Sequence, residues 1–211
     1  GGAGFILPES DYLAKVRKRC EATGTLLILD EIQPGFGRTG KLFAFEHFNC
    51  IPDILVVGKG MAAGLPVGAF ISSHKMMKTM QDRPRLGHIT TFGGNAVIAA
   101  SSLATLQEIT QSDLISNTLE KEKYFRTKLV HPLIKEIRGK GLMLALIMET
   151  AEITNHVVLT AAQQQLILFW LLFEPRAVRI SPPLTISMKE IEVGCDQILG
   201  ILNDYQASSV N

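Results

Sequence analysis

The 211-residue chain carries almost no net charge: 21 Lys and Arg against 20 Asp and Glu leave +1. So balanced a surface has no field to gather nucleic acid or anionic lipid, and neither partner is expected. Long apolar runs are missing as well. The longest, Leu166 to Phe173, has eight residues, against the roughly 20 that a membrane-spanning helix needs. Cysteine is scarce: Cys20, Cys50 and Cys195 are odd in number and widely spaced. That pattern argues against a disulfide scaffold and for a reducing, cytoplasmic setting. The five histidines, His47, His74, His88, His131 and His156, show no metal-ligand spacing, so no metal is expected. Repeats and low-complexity tracts are absent. No basic-then-apolar leader opens the chain, which begins with Gly rather than Met and reads as starting inside its gene.

What is present is the composition of a packed soluble protein, 46% hydrophobic and 19% charged. Residues 10 to 22 place Leu13, Val16 and Cys20 at helical spacing, with Gly24 as the stop. TLLILD (25–30), ILVVG (54–58) and VGAFIS (67–72) read as strands buried on both faces, because no polar residue alternates within them. Their spacing of about 30 residues suits an α/β sheet rather than a sandwich. Helices are predicted over 95–109, 113–129, 156–173 and 188–205, and further strands over 141–149 and 177–181. The methionines read as core or interface filler, and Trp170 as helix packing. A boundary near residue 112 separates an α/β part, 1–112, from a smaller α+β part, 113–211.

Four pieces carry chemistry. Asp30 ends an apolar strand, where an open α/β sheet binds its ligands and where a lone carboxylate needs a cationic partner. The plainer reading of Asp30 is a cap on the turn that follows. Lys59 ends the next apolar strand, ILVVGK (54–59). Desolvation there can strip its proton and make it a nucleophile. Gly58, Gly60 and Gly64 leave room for a flat group beside it. HITTFGGNA (88–96) sets Thr90, Thr91 and two glycines before a helix, a pattern suited to phosphate but equally to simple capping. Arg179 lies inside an apolar strand, where a guanidinium serves a carboxylate, a phosphate or a structural ion pair.

Lysine, aspartate, phosphate cradle and arginine together describe a pyridoxal-phosphate site. The chain resembles the carboxyl-terminal half of a class III aminotransferase of the ornithine/acetylornithine type. The matching stretches are LLILDEIQPGFGRTGKLFAFEH (26–47), VVGKGMAAGLPVGAFIS (56–72), TTFGGNA (90–96), IRGKGLML (137–144) and VRISPPLTIS (178–187). The resemblance implies a fold type I pyridoxal-phosphate transferase. Residues 1–112 would be part of its large, mostly parallel sheet domain, and 113–211 its small domain. It further implies that Lys59 carries the cofactor and shuttles the proton, and that Asp30 binds the pyridine nitrogen. Gln33 would sit beside the phenolic oxygen, and Arg179 would clamp the α-carboxylate of the amino acid and of 2-oxoglutarate. Thr91, with Thr90 beside it, would reach the phosphate from the neighbouring subunit of a homodimer. Phe36, Gly37 and Arg38 read as structural.

Two departures stand out. Gly58 replaces the family's usual hydroxyl or Ala before the lysine. The segment that supplies the family's main phosphate loop and stacking aromatic precedes GGAGFILP in relatives and is lacking here. The expectation is therefore that this chain is stable only beside that amino-terminal half, and inactive alone. The implied reaction moves the terminal amino group of an ornithine-like donor to 2-oxoglutarate. Its alternatives are another ω-amine such as 4-aminobutyrate, or an aminomutase or racemase. A non-catalytic scaffold would fit loss of Lys59 or Asp30, and both are present. A nucleotide-binding module is disfavoured, because no GxGxxG or GxxxxGK[ST] follows a strand.

Overall fold

The computed structural model describes residues 1–81 and 84–208. The chain divides into two units. One comprises Pro8–Gly37 and Lys41–Asp113; the other comprises Gly1–Leu7, Arg38–Gly40 and everything described from Leu114 onward.

In the first unit, α1 (Tyr12–Thr23) stops at Gly24, whose φ of 67° turns its amide back onto the Cys20 and Glu21 carbonyls. The sheet has the order β1 (Ile28–Asp30), β2 (Ile54–Gly58), β3 (Gly68–Ser72). β1 and β2 run parallel, in register Ile28 to Ile54 and Asp30 to Val56. β2 and β3 run antiparallel, because the link between them is too short for a parallel crossover. β1 is shorter than the sequence predicts. The Leu27 amide donates to Asp53 Oδ2, and the Leu27 carbonyl accepts from the Asp53 and Ile54 amides.

Burial differs from expectation too. Leu27, Leu55 and Val57 are buried, but Leu26, Ile28 and Ile71 are each more than half exposed. A strand's side chains alternate between faces, and among the described residues one set finds no cover. α2 (His74–Lys78) is capped by Ser73, and α3 (Ala96–Gln111) by Asn95. On α3 only Ile109 is buried, while Val97 and Leu103 are exposed.

The second unit is an antiparallel sheet backed by three helices. In chain order it has α4 (Thr118–Lys128), β4 (Ile134–Lys140), β5 (Met143–Met148) and α5 (Ala151–Gln163). Then come β6 (Phe169–Leu171), β7 (Glu174–Ile180) and α6 (Met188–Ser208). The strand order is β4-β5-β7-β6. Leu144, Leu146, Met148, Val178 and Ile180 pack in one core with Val157, Ala161, Ile191, Cys195 and Ile198 of the helices. On the other face Ala145, Ile147 and Ala177 pack with Phe5 from the amino-terminal strap. This face alternation is the period-2 pattern of a covered sheet.

Two expectations fail here. The helix predicted over 156–173 ends at Gln163, and Gln165 takes a left-handed φ of 65° that closes it. The apolar residues beyond form β6 and a hairpin tip instead, so Trp170 lies on a strand, its Nε1 donating to Asn155 Oδ1 at 2.7 Å. A short apolar run of this kind fits a buried helix or a strand equally, and here its pairing with β7 decides. β4 had no counterpart in the sequence reading. It turns into β5 through Gly139 and Gly141, both at positive φ; a Cβ at Gly139 would strike the Met143 carbonyl.

Candidate functional site

Asp30 is the last residue of β1, in register with Val56 of β2. Lys59 immediately follows β2 and opens a 3-10 turn, Lys59–Ala62. The two residues therefore stand at the carboxyl ends of adjacent parallel strands, where α/β sheets bind ligands. The turns that bear them touch. A Cβ on Gly58 would lie 3.5 Å from Ile32 Cγ2, and one on Gly60 would lie 3.5 Å from Phe36 Cβ. Lys59 itself has φ 43° and Phe36 φ 57°. Left-handed backbone at non-glycine residues stores strain, and it concentrates at sites that hold ligands.

The side chains differ from expectation in one respect. Asp30 and Lys59 are both exposed, so the desolvation expected to activate Lys59 is not supplied within the described residues. No ion pair joins either residue to another described residue. The open crevice at the strand ends is the physical reason. Asp30 Oδ1 accepts from the Ile32 amide at 2.9 Å, which is the turn cap of the plainer reading. That contact aims the carboxylate without neutralising it. Gln33 lies in the same turn and is half-buried.

Glu31 was not singled out by the sequence. It is 3% exposed, and its carboxylate accepts from the Ala44 amide at 3.0 Å and the Phe45 amide at 2.8 Å. Burial pushes its carboxyl up from the ordinary value, and those two amides partly offset the push. Glu31 thus ties the turn after β1 to residues 44 and 45. The available signal was a second acid directly after the strand, in a stretch with no cation beside it.

Thr90 and Thr91 are exposed in the loop before α3. The amides of Val97 and Ile98 at the start of the helix both donate to Asn95 Oδ1, at 3.0 and 3.3 Å. The capping alternative accounts for that helix end. α3 is seated on the Lys59 turn by Ser101 Oγ, which donates to the Ala62 carbonyl at 3.0 Å.

Arg179 belongs to the other unit, on β7. Its Nε donates to Ser181 Oγ at 2.8 Å, and no described carboxylate pairs with it. The segment that follows is held by two further cations. Arg38 donates to the Pro182 carbonyl, and Lys121 Nζ donates to the Leu184 carbonyl at 2.6 Å. Burial, and secondarily the charge of Arg179, depress the Arg38 pKa.

An aspartate and a lysine closing adjacent strands, in an α/β unit joined to an antiparallel α+β unit, define the fold type I pyridoxal-phosphate transferases. The chain belongs to the class III aminotransferase family, whose pattern matches residues 1–202. Among solved structures it is similar to the ornithine aminotransferase of Toxoplasma gondii ME49, with 30% identity and a TM-score of 0.89 over 97% of this chain and 49% of that one. The N-acetylornithine aminotransferase of Stenotrophomonas maltophilia K279a matches at 28% identity and a TM-score of 0.85, over 97% of this chain and 54% of that one. Plasmodium falciparum ornithine δ-aminotransferase matches at 25% and 0.88, over 99% and 55%. This chain spans about half the length of those relatives.

Proposed function

We propose that the protein containing this chain is a pyridoxal-phosphate-dependent transaminase, moving the terminal amino group of an ornithine-like donor to 2-oxoglutarate. The observation that carries the reading is the pairing of Asp30 and Lys59 at neighbouring strand ends. Likeness to ornithine and N-acetylornithine aminotransferases supports the donor class.

The residues present fit the cofactor. Among the described residues, Lys59 offers an amine that no carboxylate pairs, Asp30 an acid that no cation pairs, and Gly60 a backbone approached by the Phe36 side chain. When bound, pyridoxal phosphate supplies an electron sink for the carbon that loses its proton. Lys59 would hold the cofactor through its amine, and its Nζ would take up and return the proton that the donor loses. Asp30 would hold the cofactor at its pyridine nitrogen, favouring that nitrogen's protonated form through a charge-assisted hydrogen bond. Gln33 would hold the cofactor on the side of its phenolic oxygen. Arg179 takes the substrate carboxylate on its two Nη groups, its Nε being used by Ser181. Thr91, with Thr90 beside it, serves the phosphate across the interface of a cytoplasmic homodimer.

The test is borohydride reduction of the full-length protein with cofactor, followed by peptide mapping. Label on Lys59 is the expected result, with loss of label and turnover in Lys59→Ala. Label on Lys41 or Lys75 overturns the assignment.

A further inference from the structure

We infer that Ser181 is a positioning residue for Arg179: its hydroxyl holds the guanidinium so that a carboxylate is met by the two Nη groups. The inference rests on the reading of Arg179 as the anchor for the α-carboxylate of 2-oxoglutarate. Arg179 Nε donates to Ser181 Oγ at 2.8 Å. A guanidinium can grip a carboxylate with two parallel hydrogen bonds, either from Nε and one Nη or from both Nη groups. With Nε spent on the hydroxyl, the second way remains.

Nothing else in the sheet takes that place. Val178 and Ile180 join the core under the helices. Strand side chains alternate between faces, so Arg179 points the other way. Directly opposite it on β5 stands Ala145, which has no polar side chain to offer. The two acids that the sheet has, Glu136 and Glu174, are already paired with Arg138 and Arg176. Ser181 is thus the hydrogen-bond partner of the Arg179 side chain among the described residues. Arg38 adds a reason for one. Each of the two guanidiniums feels the charge of the other, and like charges drift apart unless something holds them.

Ser181 itself is well fixed. Ile180 before it is buried, and Pro182 after it confines its backbone to extended conformations. The Pro182 carbonyl accepts from Arg38, and the Leu184 carbonyl accepts from the buried Lys121 at 2.6 Å. A hydroxyl on so constrained a backbone can aim its partner. A free arginine side chain gives up much rotamer freedom when it binds. The Ser181 contact removes part of that freedom beforehand, which favours binding.

The experiment compares Ser181→Ala, Ser181→Thr and Arg179→Lys in the full-length protein with cofactor. Binding of 2-hydroxyglutarate, which has the α-carboxylate but no keto group to react, is measured by calorimetry. KM and kcat are measured for 2-oxoglutarate at a saturating amino donor, and melting is recorded for each variant. A net intramolecular hydrogen bond is worth about three- to tenfold in an equilibrium. Ser181→Ala should raise the 2-hydroxyglutarate Kd and the 2-oxoglutarate KM by about that factor. Its kcat should hold, as when binding shared by ground and transition states is lost. Ser181→Thr keeps the hydroxyl and should bind like the wild type. Arg179→Lys loses the fork and should weaken both ligands more than Ser181→Ala does. If Arg179→Lys weakens binding while Ser181→Ala leaves it untouched, the inference fails and the reading of Arg179 stands. If Arg179→Lys changes nothing, both fall together. A Ser181→Ala variant that shifts melting alone makes the hydroxyl merely structural and overturns the proposal. Equal weakening by Ser181→Ala and Ser181→Thr also overturns it, because the hydroxyl is then not what binding requires.

Discussion

Asp30 and Lys59 close adjacent parallel strands, yet no ion pair neutralises the one with the other. The Ile32 amide occupies Asp30 Oδ1, so the carboxylate is steered while its charge stays available. A carboxylate in this state meets what the proposed role of Asp30 toward a cationic ring nitrogen requires.

Asp30→Asn should weaken cofactor binding by about ten- to a hundredfold, the range of a lost charge-assisted hydrogen bond. It should also slow turnover, since a neutral amide no longer favours the protonated pyridine. Cofactor titration followed by absorbance gives the first quantity and steady-state rates the second. Near-normal values for both would remove Asp30 from the site.

Glu31→Ala leaves the Ala44 and Phe45 amides without their acceptor and should destabilise the fold by about 2–3 kcal/mol. Glu31→Gln keeps one acceptor oxygen and should cost less. Burial raises the Glu31 carboxyl in the folded state. The folded chain then holds this proton after the unfolded chain has released it. Its contribution is full at low pH and shrinks as pH rises through the raised value. Chemical denaturation across the acid range should show that slope in the wild type and lose it in Glu31→Gln.

Asp53 works in the opposite sense. The Leu27 amide at 2.7 Å, and then the Arg17 guanidinium at 2.7 Å, hold its carboxyl below the ordinary value. Its contribution is present above the unfolded carboxylate range of about 4 and is lost as pH falls through the depressed value. Asp53→Asn should flatten the acid limb of the stability curve below about pH 4. An unchanged acid limb would show that the contact is not formed in solution.

Residues 1–211 expressed alone should bind a hydrophobic dye strongly and show no transamination with added cofactor. Ile28, Ile71, Val97 and Leu103 are each more than half exposed in this unit, and bare apolar sheet and helix faces associate. A well-behaved, cooperatively melting, active monomer is the outcome that sinks this expectation.

Local pattern was enough for the elements whose signals are local. α1 ends at Gly24 because glycine tolerates the left-handed cap, and β2 sits where five apolar residues run together. Asp30 and Lys59 were legible for the same reason: a charge that ends an apolar run is conspicuous in one dimension. The motifs around them carried the family likeness along the chain. Other features depend on what meets what in space. LILFWLLF has the composition of a buried helix, but Gln165 turns the chain and the run pairs with β7 as an edge strand. Hydrophobicity does not distinguish those outcomes; hydrogen-bond partners far along the chain do. Burial was misjudged on β1 and β3 because apolar residues report a need for cover, whereas cover itself comes from neighbouring layers. Glu31 was invisible on the same grounds, since it gains its meaning from amides thirteen and fourteen residues away.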